Sequence, residues 1–146
     1  MRIVLQRVSE ASVTIDGKVN AAIQKGLLIL LGVEQADELA DILWLVNKVL
    51  QLRIFSDSAG KMNLSVMDIG GEVLVVSQFT LYGTCHKGRR PEFTKAAGPD
   101  LARGLYENFV SRLSQKMGRE VPTGIFGAKM EVCMKGDGPV TLELER

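Results

Sequence analysis

Apolar and polar residues alternate from the start of the chain. Residues 2–8 (RIVLQRV) and 12–15 (SVTI) carry the two-residue period of half-buried strands. Asp16-Gly17, ahead of a third such segment at residues 19–23, is a strong two-residue hairpin signal. Lys25-Gly26 makes a second turn into LLILLGV, a run apolar on both faces and so expected to be a central strand. The period then changes. Leu39, Ile42, Leu43, Val46, Val49 and Leu50 recur at helical spacing within residues 36–50, behind Asp37 as the expected N-cap. Residues 53–55 and the turn SDSAGKMN lead to a long strand over residues 72–81. Residues 82–98 lose all periodicity, and loops of that length in compact domains tend to be functional. Pro99, at a favoured first helical position, opens a second helix with the stripe Leu101, Leu105, Phe109, Leu113 and Met117, ended by Gly118. Two more strands, over residues 129–135 and 140–145, flank GDGP. The expected fold is α+β: one domain over residues 1–146, a strongly curved, barrel-like antiparallel sheet with two main helices.

Composition narrows this only modestly. With 46% hydrophobic and 24% charged residues the sequence reads as an ordinary soluble globular protein. No run approaches the roughly 18 apolar residues of a membrane span, so no membrane partner is expected. Cys85 and Cys133 sit in no metal-like spacing, and His86 is the single histidine, which excludes a multi-histidine site. A reduced, cytoplasmic protein without metal or cofactor is the simple expectation. The net charge of +1 neither announces nor excludes a nucleic-acid partner.

The stretch VVSQFTLYG carries the first chemical question, because a buried strand runs into serine, glutamine and threonine. In a regular strand Ser77 and Phe79 share one face, with Gln78 and Thr80 on the other. A site using Ser77 and Thr80 together needs the strand to bulge or end near Phe79. That break would free the N–H groups of Gln78, Phe79 and Thr80, which beside a hydroxyl suit a developing oxyanion. The plainer alternative is that both hydroxyls bond backbone at a strand end. Gly138-Pro139 offers bare carbonyl oxygens, acceptors suited to a protonated amine, or else a tight turn. In HKGRRPEF, the side chains of Lys87, Arg89 and Arg90 suit phosphates or form a solvated basic loop. Phe126 and Met130, four apart, are core residues or the walls of an apolar slot. Arg7, inside the first strand, needs acceptors if it is buried, and turn carbonyls are the available kind.

Taken in order, QRVSEASVTIDG, RIFSD with GKMNLSV, SQFTLYG, KGRRPEF, GPDLARGLYENFV, TGIFGAKMEV and DGPVTLELE resemble the D-aminoacyl-tRNA (D-tyrosyl-tRNA(Tyr)) deacylase family of the DTD-like fold over essentially the whole chain. The resemblance implies hydrolysis of the ester between a D-amino acid, or achiral glycine as in Gly-tRNA(Ala), and the 3′-terminal adenosine of tRNA. It implies a homodimer with its active sites at the subunit interface. Ser77, Gln78, Phe79 and Thr80 would line the pocket. Gly138-Pro139 would be cis, with its carbonyls directed into the other subunit's pocket. Arg7 would support that motif, and Phe126 and Met130 would house the adenosine. The segment GTCH before KGRRPEF departs from the family's usual Ala-Asp-Thr-like stretch, which leaves His86 without an implied role.

No histidine or carboxylate in SQFT is an evident base for a threonine nucleophile. Attack by water assisted by the ribose 2′-OH, with backbone N–H groups near Phe79 holding the oxyanion, fits the residues better. Two other readings remain open: a non-catalytic RNA-binding dimer domain, and an unselective esterase using Thr80.

Overall fold

The computed structural model describes residues 1–86 and 88–146. Its first strand, β1 (Arg2–Ile15), is a single element rather than two. The Asp16-Gly17 turn follows, with φ of 49° and 75°, the paired left-handed geometry that Asp-Gly serves well. It returns the chain as β2 (Lys18–Ile23), which pairs with residues 11–15 of β1. Next, β3 (Gly26–Gly32) pairs antiparallel with residues 2–8 of β1.

The helix α1 (Leu39–Gln51) begins later than its periodicity suggested, and its N-cap is Glu38 in a reciprocal box with Asp41. Asp37 is drawn elsewhere. It is buried, where it accepts the Met1 ammonium and, at 2.7 Å, the Glu34 N–H. A short hairpin, β4 (Phe55–Ser56) and β5 (Met62–Leu64), precedes β6 (Glu72–Ser77). The sheet is antiparallel except here, because β6 runs parallel to β3 from Gly26↔Glu72 to Leu31↔Ser77. The chain passes through α1 between these two strands, as a parallel crossover requires.

The second long helix, α2 (Pro99–Met117), buries Ala102, Tyr106, Phe109 and Leu113. The expected stripe was one residue out of phase at its start, and Leu101 is 45% exposed. Finally β7 (Glu131–Glu145) runs through GDGP as one strand along the length of β1 and leaves most of its side chains exposed.

Alternation along β3 and β6 feeds two cores. Leu27, Ile29, Leu31, Val73 and Val75 pack with Leu45, Val49, Phe109 and Leu113 of the two helices. Leu28, Leu74 and Val76 face the other side, packed with Val8, Val13 and Ile23. Both faces of the two strands are therefore buried, which accounts for the unbroken apolar runs. Truncating Phe109 or Leu113, both fully buried, would cost roughly 3–5 and 2–5 kcal/mol.

Candidate active site

The end of β6 is where both cores open to solvent. Ser77 is its last residue, and the Gln78 N–H still donates to the Leu31 carbonyl at 2.7 Å. The chain then turns into a 3-10 helix over Phe79–Tyr82, closed by Leu81 N–H to Gln78 O at 3.2 Å and Gly83 N–H to Thr80 O at 2.9 Å. As at any helical start, the first donors lack partners. Among the described residues, the N–H groups of Phe79 and Thr80 meet no backbone acceptor. The break near Phe79 is thus present, but it frees two donors instead of three, because Gln78 remains in the ladder. The Gln78 side-chain amide donates to the Thr80 hydroxyl oxygen.

A cavity of about 300 Å³ adjoins this turn. Ser77, Gln78 and Phe79 form one wall, Ala102 and Tyr106 of α2 a second, and Phe126 and Met130 a third. Thr80 is exposed beside it and does not line it. The third wall is held by β6 itself. Val75 donates to Pro122 O at 3.1 Å and accepts from Gly124 N–H at 3.1 Å, so residues 122–124 dock on its open edge. The Tyr106 hydroxyl donates to the same Val75 carbonyl at 3.0 Å. Burial pushes its pKa up to about 12, so it stays a donor at neutral pH. Its ring lies 5.8 Å from that of Phe126, tilted by 53°. The Met130 sulfur fills the space a side chain at Gly124 would need.

Gly138 and Pro139 do not line this cavity in the same chain. Both are exposed, their peptide bond is cis, and Gly138 has a φ of +127°. The β1–β7 ladder shifts register between Gln6↔Thr141 and Val8↔Gly136, opposite Arg7. The Arg7 side chain fills that gap. Nε donates to Asp137 O at 3.0 Å and stands 3.1 Å from Asp137 Oδ2, while Nη1 donates to Ile54 O. The acceptors anticipated for a buried arginine are therefore carbonyls, one of them next to the Gly-Pro step.

The basic loop is tied at its neck by Thr84 and Glu92, whose backbones exchange two hydrogen bonds of 2.9 Å. His86, Arg89 and Arg90 are exposed, and Lys87 lies outside the described residues. Phe93 returns from the loop to pack edge-on against Phe79, with ring centroids 5.0 Å apart. Cys85 and Cys133 are free and exposed. Among the described residues, no three His, Cys, Asp or Glu side chains converge as a metal site.

Three residues of this region were missed in the sequence: Phe93, Arg103 and Tyr106. A tyrosine on a buried helical stripe needs an acceptor, so Tyr106 was findable once the stripe was placed one residue later. Nothing local marks the other two, whose partners come from distant segments.

Comparison with known proteins identifies the relatives of the chain. The sequence profile described as D-Tyr-tRNA(Tyr) deacylase matches residues 4–145. The chain is 55% identical over 145 residues to a D-aminoacyl-tRNA deacylase of Flavobacterium psychrophilum, covering 99% of this chain and 97% of that protein. It is 56% identical, with the same coverage, to one of Clostridioides difficile. A solved structure named c-Myc DNA Unwinding Element Binding Protein superposes with a TM-score of 0.94 at 42% identity, covering 100% of this chain and 99% of the other. A second, described as a probable eukaryotic D-amino acid tRNA deacylase, gives a TM-score of 0.85 at 17% identity, over 98% and 97% of the two chains, and so speaks for the fold alone.

Proposed function

The chain belongs to the D-Tyr-tRNA(Tyr) deacylase family, and from that premise we propose how its residues remove a D-amino acid from tRNA. It is a D-aminoacyl-tRNA deacylase, a hydrolase acting on ester bonds. The observation that carries the site assignment is the pair of N–H groups at Phe79 and Thr80, without a backbone acceptor among the described residues, beside an apolar cavity of nucleoside size.

In this reading the adenine of the terminal nucleotide sits against Phe126 and Met130. The ester carbonyl points to the Phe79 and Thr80 N–H groups, which stabilise the oxyanion formed as water attacks. The ribose 2′-OH assists that attack, since Ser77, Gln78, Phe79 and Thr80 supply no base. The ester C–O bond then breaks, the ribose 3′-oxygen takes the proton, and the free D-amino acid and tRNA leave. Ser77 and Gln78 shape the wall, and the Gln78 amide holds the Thr80 hydroxyl.

Selectivity for hand needs the substrate ammonium fixed as well. We assign this to the Gly138-Pro139 carbonyls of a second copy, since this chain's own step does not line its cavity and is exposed. Arg7 holds Asp137, next to that step. With ammonium and ester carbon placed, a D side chain points outward and an L side chain meets the Gly-Pro backbone. Exclusion of this kind admits many D-residues and also glycine, so Gly-tRNA(Ala) is a substrate in this reading. The functional unit is a homodimer of a single-domain chain working in the cytoplasm, with the exposed Arg89 and Arg90 available to tRNA phosphates. No cofactor enters the scheme.

The test is to follow ester loss from D-Tyr-tRNA and L-Tyr-tRNA. Hydrolysis of the D ester alone is expected. Equal hydrolysis of both would mean an unselective esterase, and hydrolysis of neither a non-catalytic RNA-binding domain.

A further inference from the structure

The cavity wall from α2 holds a cation that the scheme above leaves unused. Ala102 and Tyr106 line the cavity, and Arg103 lies between them in sequence, exposed at the rim. Its guanidinium carbon stands 4.9 Å over the ring of Phe126. Among the described residues, no carboxylate lies within 4.0 Å of it. Packing one face of a guanidinium on an aromatic ring limits its freedom and leaves its in-plane N–H groups outward.

We propose that Arg103 grips the 5′-phosphate of the terminal nucleotide, so that the site reads the last phosphodiester of its substrate as well as the base. The inference rests on the nucleoside assignment made above. A base against Phe126 and Met130 brings its ribose phosphate to the same neighbourhood. That phosphate cannot enter the apolar walls without losing its hydration, so it stays at the rim. The rim beside Phe126 presents the Arg103 fork, whose donors match two phosphate oxygens. The ring of Phe126 thus serves twice, as a wall for the base and as the platform that aims the cation. This contact is separate from the basic loop, which returns through Phe93 to Phe79, and it acts on the terminal nucleotide alone.

The experiment compares binding of adenosine and adenosine 5′-monophosphate by calorimetry, using the full-length wild type, Arg103→Ala and Arg103→Lys. Wild type is expected to bind the monophosphate about tenfold more tightly, the size of one charge-assisted contact at a partly exposed rim. In Arg103→Ala the advantage disappears, while retained adenosine binding and an unfolding transition like that of wild type show that the variant is folded. Arg103→Lys keeps part of it, and added salt shrinks the wild-type difference. A monophosphate advantage that survives in Arg103→Ala, or its absence from wild type, overturns the proposal. Ester loss from D-Tyr-tRNA, measured on the same preparations, reports separately on the deacylase scheme. Failure there alone would leave the phosphate contact standing.

Discussion

Phe93 meets Phe79 edge-on with ring centroids 5.0 Å apart, and this contact joins the basic loop to the 3-10 turn over Phe79–Tyr82. The loop is also wedged at Gly83, where an added Cβ would lie 2.9 Å from both Phe93 Cε1 and Thr80 O. Phe79 itself is 56% exposed, so little else fixes its ring. Edge-to-face pairs contribute about 0.5–1.5 kcal/mol beyond burial. Phe93→Ala is therefore expected to lower kcat on D-aminoacyl-tRNA by roughly threefold to tenfold, with a small change in Tm. Phe93→Leu should fall between. Unaltered kcat in Phe93→Ala would show that the turn holds its own geometry.

Thr80 is exposed, outside the cavity lining, and accepts a hydrogen bond from Gln78. In the proposed scheme a hydroxyl so placed helps and is not the attacking group. Thr80→Ala is expected to lose less than about tenfold in kcat. A substrate ending in 2′-deoxyadenosine should instead lose about 10²–10⁴-fold, the usual range for removing a proton-transfer partner. Turnover of the deoxy substrate at the normal rate would rule out assistance by the 2′-OH.

The Met130 sulfur occupies the position a methyl group would take on Gly124. Gly124 is also hydrogen-bonded to the Val75 carbonyl, so its backbone cannot easily yield. In Gly124→Ala the thioether must move, and the wall proposed for adenosine moves with it. The expected result is a KM raised by about tenfold with kcat less affected, because a binding wall changes and the oxyanion donors do not. A normal KM would mean that Met130 has no part in holding the nucleoside.

Much of this was legible along the chain, and the failures have a common cause. Asp16-Gly17 sets its turn through local backbone chemistry, and the two-faced apolar run of β3 announces a strand buried on both sides. The polar end of VVSQFT was readable as a strand that stops, since hydroxyls and amides are poor occupants of a core. Asp37 was misassigned because its partner, the Met1 ammonium, lies 36 residues away in sequence. The parallel β3–β6 pairing, the retention of Gln78 by Leu31 and the contacts of Phe93 and Arg103 are likewise settled between distant segments. Local pattern fixes elements and oddities; which oddity meets which is decided by packing.

Arg7 supplies donors to the carbonyls of Asp137 and Ile54 from a side chain that is nearly fully buried. Arg7→Lys keeps the charge but has no planar fork to reach both acceptors. Each buried carbonyl left unpaired costs about 1–3 kcal/mol. Arg7→Lys is thus expected to lower Tm by several degrees and to erode D-over-L selectivity more than turnover of the D ester. Gly138→Ala strains the same place from the other side. A Cβ there would lie 2.9 Å from Arg7 Nη2, on a residue with φ of +127°. Full selectivity in both variants would detach Arg7 from the Gly-Pro step.

The chain has two tyrosines, Tyr82 and Tyr106, and both are buried. Desolvation raises Tyr106 to about 12. It also raises Tyr82, where the negative charges of Asp37 and Glu34 add to the effect. In the unfolded chain both ionise near the usual value of about 10. Between that value and the folded ones, unfolding releases protons that the fold retains, so rising pH favours the unfolded state. The contribution is complete below about pH 10 and is lost as pH climbs through about 12. For Tyr106 alone it amounts to about 2–3 kcal/mol. Phenolate absorbance is therefore expected to appear together with loss of the far-ultraviolet dichroism, in one alkaline transition. Tyr106→Phe should flatten the pH dependence of stability in that window, while at neutral pH it costs only about 1 kcal/mol, since Val75 O keeps the Gly124 N–H. A phenolate signal near pH 10 from a protein that is still folded would show that the tyrosines are not held as described.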